Sequence, residues 1–453
     1  MSTVAIVGGG ASGTLTAYHL LRETGVETAA GLRVVLFEAA GTPARGAAYS
    51  TTDPRHLLNV RAGGMSALPD DPSHLVEWAR STGRDITPTT FVPRRDFAAY
   101  LDHLLAEVAE RLTVVPERVV DVVRRGEVWE VLTDAGARTV ADHVVLAHGN
   151  AAPRPLVDGT GEPLPQASWH LADPWRLDIA GLADDAVVVL VGSGLTAVDA
   201  AISSLDDAPG RRVLMVSRSG LLPQAHVSET STSWVTPVPA GPVQADELAA
   251  LVRRQVESAR AQGVDWRSVI DGLRGATQSA WRRMDLDQRR RFLSAHARTW
   301  EVHRHRMAPE VASRIAALRA EGRLDLIDGG LGAVRDAGDH AVVTLPDGAE
   351  VRAAAVVNCT GPLTDVTRLG DPLLDALIAR GTIAPDPLRL GLATTTEGLV
   401  LDAEGDVVPH LFTVGPPRKG TLYESTAVPE IRTQAAALAT HLRTESARCA
   451  GAA

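Results

Sequence analysis

The sequence predicts an α/β protein with two Rossmann-like domains and a helical insertion. Two glycine-rich turns each stand between an apolar strand and a segment of helical periodicity. Two further segments share one order of strand, hairpin and buried strand, and equal numbers of residues separate Arg111 from Gly149 and Arg323 from Gly361. A long helical stretch, residues 244–322, lies between the two halves and is too long for a loop.

The first turn, in STVAIVGGGASGTLTAYHLL, has the pattern of a dinucleotide-binding site. Gly8, Gly10 and Gly13 end an apolar strand and open a helix, so backbone N–H groups can approach a pyrophosphate. The next strand, in GLRVVLFEAAG, ends in Glu38, and a carboxylate at that place accepts hydrogen bonds from ribose hydroxyls. The flanking strand, helix and acid make this pattern far more specific than the glycines alone.

A second turn, in DDAVVVLVGSGLTAVDAAISSL, repeats the pattern with Gly192, Gly194 and Ala197. The strand that follows, RRVLMVSRSG, carries Ser217 and Arg218 at its tip, where the first domain has an acid. An acid there would repel the 2′-phosphate of NADP, whereas serine and arginine can donate hydrogen bonds to it. The second site is therefore predicted to prefer NADPH.

The two repeated segments end in VVLAHG and VVNCTG, and their closing residues, Gly149 and Gly361, let the chain pass close to a bound nucleotide. Two dinucleotide sites in one chain, the first with an acid and the second with an arginine, indicate FAD in the outer domain and NADPH in the inner one. The nicotinamide would then deliver hydride to the flavin.

These patterns divide the chain into two domains and a cap. We expect the FAD domain to take residues 1–182 and 362–453, and the NADPH domain to take residues 183–243 and 323–361. The helical cap is predicted over residues 244–322, where it would cover the active site.

Near its end the cap contains EVHRHRMAPE, which places His303, Arg304, His305 and Arg306 side by side. No acid or cysteine stands at ligand spacing on the same face, so no metal site is predicted. The segment is either a charged helix end or an anion-binding wall near the flavin. Arg304 and His305 are candidate catalytic residues on the second interpretation.

Composition excludes several other classes of protein. The chain has 453 residues and a formal net charge of −10, which does not favour a nucleic-acid partner. No apolar run reaches the length of a membrane span and no secretory signal pattern opens the chain, so a cytoplasmic protein is expected. Cys359 and Cys449 are the only cysteines, which leaves no C-x-x-C pair for a thiol relay.

Several segments together carry a family resemblance: GAAYSTTDPRHLLNVRAGGMSALPDDPSHLVEWA, FVPRRDFAAYL, EVHRHRMAPE, VVNCTGP and VGPPRKGTLYESTAVPEIRTQA. With these segments the chain resembles FAD/NAD(P)-binding proteins related to N-hydroxylating flavoprotein monooxygenases. The resemblance implies an FAD enzyme that a nicotinamide cofactor reduces. Relatives include an aspartate N-hydroxylase that makes nitrosuccinate and an FAD-dependent urate hydroxylase, so the family does not fix the substrate.

The resemblance also implies roles for particular residues. The glycines of the first turn and Glu38 would hold the pyrophosphate and ribose of FAD. The segment under the flavin would contain Tyr49, His56, Asn59 and Met65, with Asn59 a catalytic candidate, and Gly415 would open a turn beside the ring. Because related flavoproteins often pair, a homodimer is one of the states that the resemblance allows.

The last of these segments contains Lys419, the only lysine of the chain. This lysine stands where the family mostly has a second arginine, and Tyr423 stands where tryptophan is usual. A helix is predicted to begin near Thr426 with its amino end toward the flavin. Lys419 either ties down Glu424 or faces solvent, or it contacts the NADPH phosphate or the substrate, and in this last case it is a catalytic candidate.

The function predicted is that of an NADPH-using flavoprotein monooxygenase acting with dioxygen on a small polar substrate. N-hydroxylation of an amino acid such as aspartate is the leading hypothesis, and hydroxylation of a urate-like heterocycle is the alternative. A reductase that passes hydride to an organic acceptor without oxygen, and a flavin-dependent sensor without turnover, also stay open.

Overall fold

The computed structural model describes residues 2–22, 32–227 and 233–451 of the chain, and within 447–451 it describes the backbone alone. The side chain of Cys449 therefore lies outside the described residues. Those residues form seventeen strands: β1 (Ser2–Val7), β2 (Leu32–Phe37), β3 (Leu112–Val115), β4 (Val119–Arg125), β5 (Val128–Thr133), β6 (Arg138–Ala141), β7 (His143–Leu146), β8 (His170–Leu171), β9 (Val187–Val191), β10 (Arg212–Val216), β11 (Leu324–Ile327), β12 (Val334–Asp336), β13 (Ala341–Thr344), β14 (Glu350–Ala353), β15 (Ala355–Asn358), β16 (Leu399–Leu401) and β17 (Val407–Thr413).

Fourteen α-helices lie in the same part of the chain: α1 (Ala11–Leu21), α2 (Gly46–Tyr49), α3 (His74–Ser81), α4 (Arg94–Glu107), α5 (Leu195–Asp206), α6 (Ala245–Ala261), α7 (Trp266–Gly272), α8 (Arg274–Arg282), α9 (Leu286–Ala295), α10 (Ala297–Arg304), α11 (Pro309–Ala320), α12 (Pro372–Ala379), α13 (Lys419–Leu422) and α14 (Val428–Gly451). Short 3₁₀ turns occur at Ala62–Gly64, Ala109–Arg111, Val366–Arg368 and Pro416–Arg418.

The first domain is built on a six-stranded sheet in the order β16-β17-β7-β1-β2-β3. Its strands run parallel except for β16, which pairs antiparallel with β17. Helices α1, α4 and α14 bury one apolar face of this sheet, and the small sheet β4-β5-β6 with α12 buries the other. Buried on both faces, β1 and β7 read as continuous apolar runs in the sequence.

The second domain repeats this design with a five-stranded parallel sheet in the order β11-β10-β9-β15-β8. Helices α5 and α11 pack on one face, and the small sheet β12-β13-β14 packs on the other. The two repeated segments of the sequence are thus the same part of each domain, the outer strand, the three-stranded sheet and the returning central strand. The predicted α/β fold with two Rossmann-like domains and a helical insertion is confirmed.

The predicted domain boundaries differ from the structure at two places. Strand β8 and the buried Trp169 belong to the second domain, although they precede the predicted boundary at residue 183. A strand of two residues has too little pattern to be recognised in sequence. At the other end, α11 packs in the core of the second domain as the crossover from β10 to β11, so the cap itself is α6–α10.

Aspartates fix the start of two cap helices. Asp265 accepts a hydrogen bond from the backbone N–H of Arg267 at the start of α7, and Asp285 accepts one from Gln288 at the start of α9. An aspartate before a helix stabilises it by satisfying a backbone N–H that has no partner within the helix. No helix within the described ranges combines the length and the apolar character that crossing a bilayer requires.

Candidate functional site

The first glycine turn lies where the carboxyl ends of β1 and β7 meet the start of α1. Gly8 has a φ of +104°, and a Cβ atom there would lie 2.5 Å from the carbonyl oxygen of Ala147. A Cβ atom on Gly13 would lie 1.9 Å from the carbonyl oxygen of Gly8. Only glycine therefore fits at either position. Gly10, in contrast, has an extended backbone and immediately precedes α1, and a Cβ atom there would make ordinary contact with the Cα atom of Gly46 at 3.4 Å.

Glu38 lies against this turn at the end of β2, as predicted. Its Oε2 atom accepts a hydrogen bond of 2.8 Å from the N–H of Gly9, and its Oε1 atom accepts one of 2.9 Å from the N–H of Ala40. Each carboxylate oxygen can accept a second hydrogen bond, so the group remains able to bind a ribose hydroxyl.

A cavity of about 340 Å³ opens in front of the turn. Burial raises the pKa of Tyr49, which lies on its wall, to about 12, so the phenol keeps its proton. Among the predicted cofactor residues, those on the wall of this cavity are Gly8, Gly10, Glu38, Tyr49, Gly149 and Thr426.

A second cavity of about 440 Å³ adjoins the first and shares Gly149 and Thr426 with it. It continues past Pro416 and Pro417 to Lys419. Together the two cavities make one elongated space from Glu38 to Lys419, as an extended dinucleotide requires.

His148 lies on the wall of both cavities and was missed in the sequence, although it directly precedes Gly149. Both of its ring nitrogens are buried without a hydrogen-bond partner among the described residues. Burial lowers the pKa of this histidine, so the neutral ring offers one donor and one acceptor. A polar ligand such as FAD would satisfy these atoms, which supports the fit of this cofactor to the site.

Gly415 and Gly361 follow strands β17 and β15 and lie near the same space. Gly415 has a φ of +82°, and a Cβ atom there would lie 2.4 Å from the Ser12 hydroxyl, so glycine lets the turn after β17 pack on α1. Gly361 follows β15 with a φ of +85° and stands beside Pro362, which lines the second cavity.

Two residues predicted to lie under the flavin lie elsewhere. His56 is buried between the domains, where its Nδ1 atom is 2.8 Å from the Thr51 hydroxyl and its Nε2 atom is 2.8 Å from the Ser203 hydroxyl of α5. Met65 is 3 % exposed and packs in the core of the first domain. Neither residue lines the two cavities described above.

In the second domain, Gly192 has a φ of +124°, and a Cβ atom there would lie 2.3 Å from the carbonyl oxygen of Cys359. This contact repeats the approach of Gly8 to the strand end beside it. Gly194 precedes α5 with no atom within 4 Å of a Cβ position. Ala197, one turn into α5, is fully buried against the core. The second turn therefore leaves the start of α5 open to a ligand.

At the tip of β10, the Ser217 hydroxyl accepts hydrogen bonds from the Ser193 hydroxyl at 2.9 Å and from the N–H of Gly220 at 3.1 Å. Arg218 is exposed beside them. The predicted serine and arginine thus lie next to the second glycine turn.

Arg298, from α10 of the cap, reaches the same place and was not predicted. It donates from Nη2 to the Ser193 hydroxyl at 3.1 Å and from Nε to the Ser219 hydroxyl at 3.2 Å, and it also contacts the carbonyl oxygen of Leu221. Two guanidinium groups therefore flank the second turn. The sequence has no signal for this contact, because Arg298 is far along the chain and lies on another element.

For this site we expect Arg298→Ala and Arg218→Ala each to raise the Michaelis constant for NADPH about tenfold. This factor corresponds to the binding free energy lost with one charged hydrogen bond. The constant for NADH should change little because NADH has no 2′-phosphate. Initial rates of oxidation of each nucleotide give both constants. Arg212→Ala, at the exposed start of β10, is the matched control. An equal rise for both nucleotides would overturn the assignment.

A third cavity, of about 270 Å³, lies beside the segment 59–64 and is rich in arginine. We call it the arginine pocket. Its wall holds five arginines and one aspartate: Arg61, Arg267, Arg274, Arg304, Arg306 and Asp271. Burial and the nearby Arg306 lower the pKa of His226, on the same wall, to about 4, so this ring stays neutral. The pocket is therefore rich in guanidinium groups, and acids pair with four of its arginines: Asp265 with Arg267, Asp271 with Arg306, Glu424 with Arg304 and Glu430 with Arg274.

Arg304 is held in this pocket by Glu424. The two side chains form a two-pronged ion pair, with Nε to Oε1 and Nη2 to Oε2 both at 3.0 Å, and both are buried. Arg306 is 2 % exposed and contacts Asp271, but its Nε and Nη1 atoms are buried without a hydrogen-bond partner among the described residues. Buried guanidinium N–H groups of this kind are suited to an anion that enters the pocket.

The four predicted catalytic residues are thus separated. Asn59 and Arg304 share the arginine pocket. Burial, followed by the charges of Arg304 and Lys419, lowers the pKa of His305 to about 3, so His305 is neutral and does not line that pocket. Lys419 lines the second cofactor cavity as the first residue of α13.

The predicted tie between Lys419 and Glu424 is not formed, because Arg304 is the partner of Glu424. The ammonium of Lys419 instead lies 5.6 Å from the centre of the Tyr423 ring. The helix that follows begins at Val428, two residues after the predicted start at Thr426.

The sequence predicts no metal site, yet one group of described residues has the composition of one. The ligand atoms of His143, His410 and Glu445 all lie within 4.8 Å of one another. His143 begins β7, at the end of the strand opposite to the cofactor cavities. This group is therefore not part of the site described above.

Comparison with known proteins supports the first domain directly. Residues 5–151 match the NAD_binding_9 family model, described as FAD-NAD(P)-binding. This range contains the first glycine turn, Glu38 and Gly149, so the first domain is an FAD/NAD(P)-binding domain. The sequence matches none of the curated proteins with which it was compared.

Solved structures show the same fold over nearly the whole chain. An ornithine N-hydroxylase from Kutzneria sp. 744, in a structure with reduced FAD, NADP⁺ and L-ornithine, has a TM-score of 0.63 at 15% identity, with 98% of this chain and 99% of that chain covered. An L-lysine 6-monooxygenase from Pseudomonas syringae has a TM-score of 0.64 at 16% identity, covering 98% and 100%. A bacillithiol disulfide reductase from Bacillus cereus has a TM-score of 0.58 at 16% identity, covering 98% and 99%.

Proposed function

We propose that the chain is an FAD-dependent, NADPH-using monooxygenase that hydroxylates a small anionic substrate. The observation that carries this proposal is the arginine pocket, where the buried Nε and Nη1 atoms of Arg306 have no hydrogen-bond partner among the described residues. The match of the first domain to the FAD-NAD(P)-binding model and the two glycine turns support the choice of cofactors.

In this proposal each domain holds one cofactor. The open start of α1, Glu38 and His148 would bind FAD, and the open start of α5 with Ser217, Arg218 and Arg298 would bind NADPH. Bound FAD would supply the chemistry by taking hydride from NADPH and reacting with dioxygen. Lys419, in the second cavity, would place a positive charge beside the flavin and stabilise the negative charge that develops on it.

The substrate would bind in the arginine pocket. Guanidinium groups hold carboxylates through two parallel hydrogen bonds, so a carboxylate of the substrate would pair with Arg306. Cap helices α7 and α8 close the pocket on one side and would exclude water from it. Arg304, fixed by Glu424, would orient the substrate.

Among small anions, an amino acid with a second carboxylate, such as aspartate, fits this pocket best, and its amine would be the group hydroxylated. The ornithine N-hydroxylase and the L-lysine 6-monooxygenase, which have the same fold, also take amino acids as substrates. Hydroxylation of a urate-like heterocycle, which is also an anion, is the second candidate. Cytoplasmic location and a homodimer stay predictions.

The proposal is tested by screening amino acids and purines for substrate-dependent NADPH oxidation with matching oxygen uptake, and by identifying the product by mass. Stimulation by L-aspartate with a product heavier by one oxygen atom would support it. NADPH oxidation that continues unchanged without oxygen would instead indicate a reductase, the class to which the bacillithiol disulfide reductase belongs. A protein that takes up no FAD on reconstitution would contradict the central claim.

Arg306→Met should raise the Michaelis constant for the anionic substrate by at least about tenfold, because one charged hydrogen-bond pair to a carboxylate is lost. FAD content and the Michaelis constant for NADPH should stay unchanged. Arg306→Lys keeps the charge without the two-pronged geometry, so it should raise the Michaelis constant for the substrate by nearly as much. Arg290→Met, on the exposed face of α9, is the matched control. An unchanged substrate constant in both Arg306 variants would exclude this residue from binding.

A further inference from the structure

The largest of the cavities described lies inside the cap and has no part in the proposed function. Its volume is about 970 Å³, and helices α6–α10 surround it. We call it the cap cavity. Its lining is mostly apolar, and five aromatic side chains contribute to it: Trp266, Trp281, Phe292, Trp300 and Tyr423. The volume lies within the range of about 300–1,000 Å³ that is typical of ligand pockets.

Helices α7 and α8 separate the cap cavity from the arginine pocket. Trp266, Ile270 and Leu273 line the cap cavity, whereas the residues one position further on, Arg267, Asp271 and Arg274, line the arginine pocket. Spacings of three and four residues put each set on one face of the helical segment. The two cavities are therefore different sites on opposite sides of one wall.

The cap cavity contains hydrogen-bond donors that the protein does not satisfy. The indole Nε1 of Trp300 and the hydroxyl of Tyr423 are buried atoms with no hydrogen-bond partner in the described part of the chain. Tyr423 is 6 % exposed, and burial holds the pKa of its phenol well above the usual range, so the hydroxyl keeps its proton. A buried donor without a partner is unfavourable, and a bound acceptor would satisfy it.

Helix α6 presents an apolar face to the cavity that is covered incompletely. Leu248, Val252 and Val256 line the cavity but remain half-buried, and within this helix only Ala245 and Ala259 are fully buried. Apolar surface of this kind, enclosed on several sides, is stabilised when an apolar molecule displaces water from it.

We propose that the cap cavity is a second binding site, for a planar, mainly apolar small molecule that carries a hydrogen-bond acceptor. The aromatic walls favour a flat ring system, and the two unsatisfied donors select an acceptor such as a carbonyl or a sulfonate oxygen. The volume of the cavity is that of a small-molecule site. This site is independent of the anion that occupies the arginine pocket.

The test uses 1-anilinonaphthalene-8-sulfonate as a probe on the FAD-loaded protein with NADP⁺ present, so that both nucleotide sites are filled. Emission of the probe should rise and saturate at one molecule per chain. Ala249→Phe and Ala276→Phe, which fill the cavity from two walls, should each raise the dissociation constant at least about fivefold. Ser258→Phe, on the exposed face of α6, is the matched control and should leave it unchanged.

Trp300→Phe removes one donor while keeping an aromatic ring, and should raise the dissociation constant of the probe about threefold or more. This variant keeps the test decisive if either alanine variant melts early or loses FAD. L-aspartate or succinate should not displace the probe, because those anions belong to the arginine pocket. Equal binding by all variants, displacement by either anion, or a change of oligomeric state in the filled variants, would each overturn the proposal.

Discussion

Gly10→Val is expected to give a folded protein without FAD, and Gly194→Val a protein that keeps FAD but uses NADPH poorly. Both glycines are extended and immediately precede a helix; a Cβ atom would meet nothing within 4 Å at Gly194 and would make ordinary contact with Gly46, at 3.4 Å, at Gly10. A valine side chain would occupy the space into which a pyrophosphate would approach the helix start.

FAD content, measured from the absorbance of the purified protein, should fall below about a tenth of the wild-type value in Gly10→Val. In Gly194→Val the content should stay the same while the Michaelis constant for NADPH rises by at least about tenfold. Each variant is thus the control for the other. Loss of FAD in Gly194→Val with retention in Gly10→Val would reverse the assignment of the two domains.

Arg304→Met should lower the free energy of unfolding by about 3–5 kcal/mol, the cost of leaving one partner of a buried ion pair uncompensated. The partner is Glu424, which is buried and accepts both hydrogen bonds of the guanidinium. Removing both charges, in Arg304→Met with Glu424→Leu, should recover most of the lost stability because no buried charge remains. Urea unfolding followed by circular dichroism measures the differences.

Measuring substrate turnover distinguishes the effect of the Arg304–Glu424 pair on stability from its effect on function. The double variant should stay inactive with the anionic substrate, since Arg304 lines the arginine pocket. The exposed pair of Arg290 and Asp287 is the control, and its disruption should cost less than about 1 kcal/mol. A double variant as unstable as Arg304→Met would show that the side chains matter for packing and not for their charge.

The backbone of the cofactor sites was predictable from the sequence because glycine is required there for steric reasons. Gly8 and Gly192 each meet a carbonyl oxygen of a neighbouring strand, and this leaves a mark on the sequence that needs no tertiary information. The repeated sheet of each domain was predictable for a similar reason, since alternating and continuous apolar runs follow strand burial.

The arginine pocket was only partly predictable. Arg304 was recognised as a candidate from its histidine and arginine neighbours, but the pocket also takes Arg61 from the first domain and Arg267 and Arg274 from the cap. Their approach depends on how α7, α8 and α10 pack, and surface arginines elsewhere in the chain look the same in sequence. For that reason composition could not single them out.

Lys419 is a single residue that shows the same limit on prediction from the sequence. It lines the second cavity, and its role there stays a prediction. One of its predicted partners, Glu424, is instead bound by a residue distant in sequence, Arg304. Arg298 is the opposite case, a residue with no local signal that the fold brings to the second glycine turn.

Arg298 and Arg304 stand on the same short helix, α10. One reaches the second glycine turn and the other reaches the arginine pocket. At the helical rise of about 1.5 Å per residue, their Cα atoms are separated by about 9 Å along the axis. The helix thus sets a fixed spacing between two guanidinium groups; if these bind a nucleotide and a substrate as proposed, a shift of one anion would be transmitted to the other.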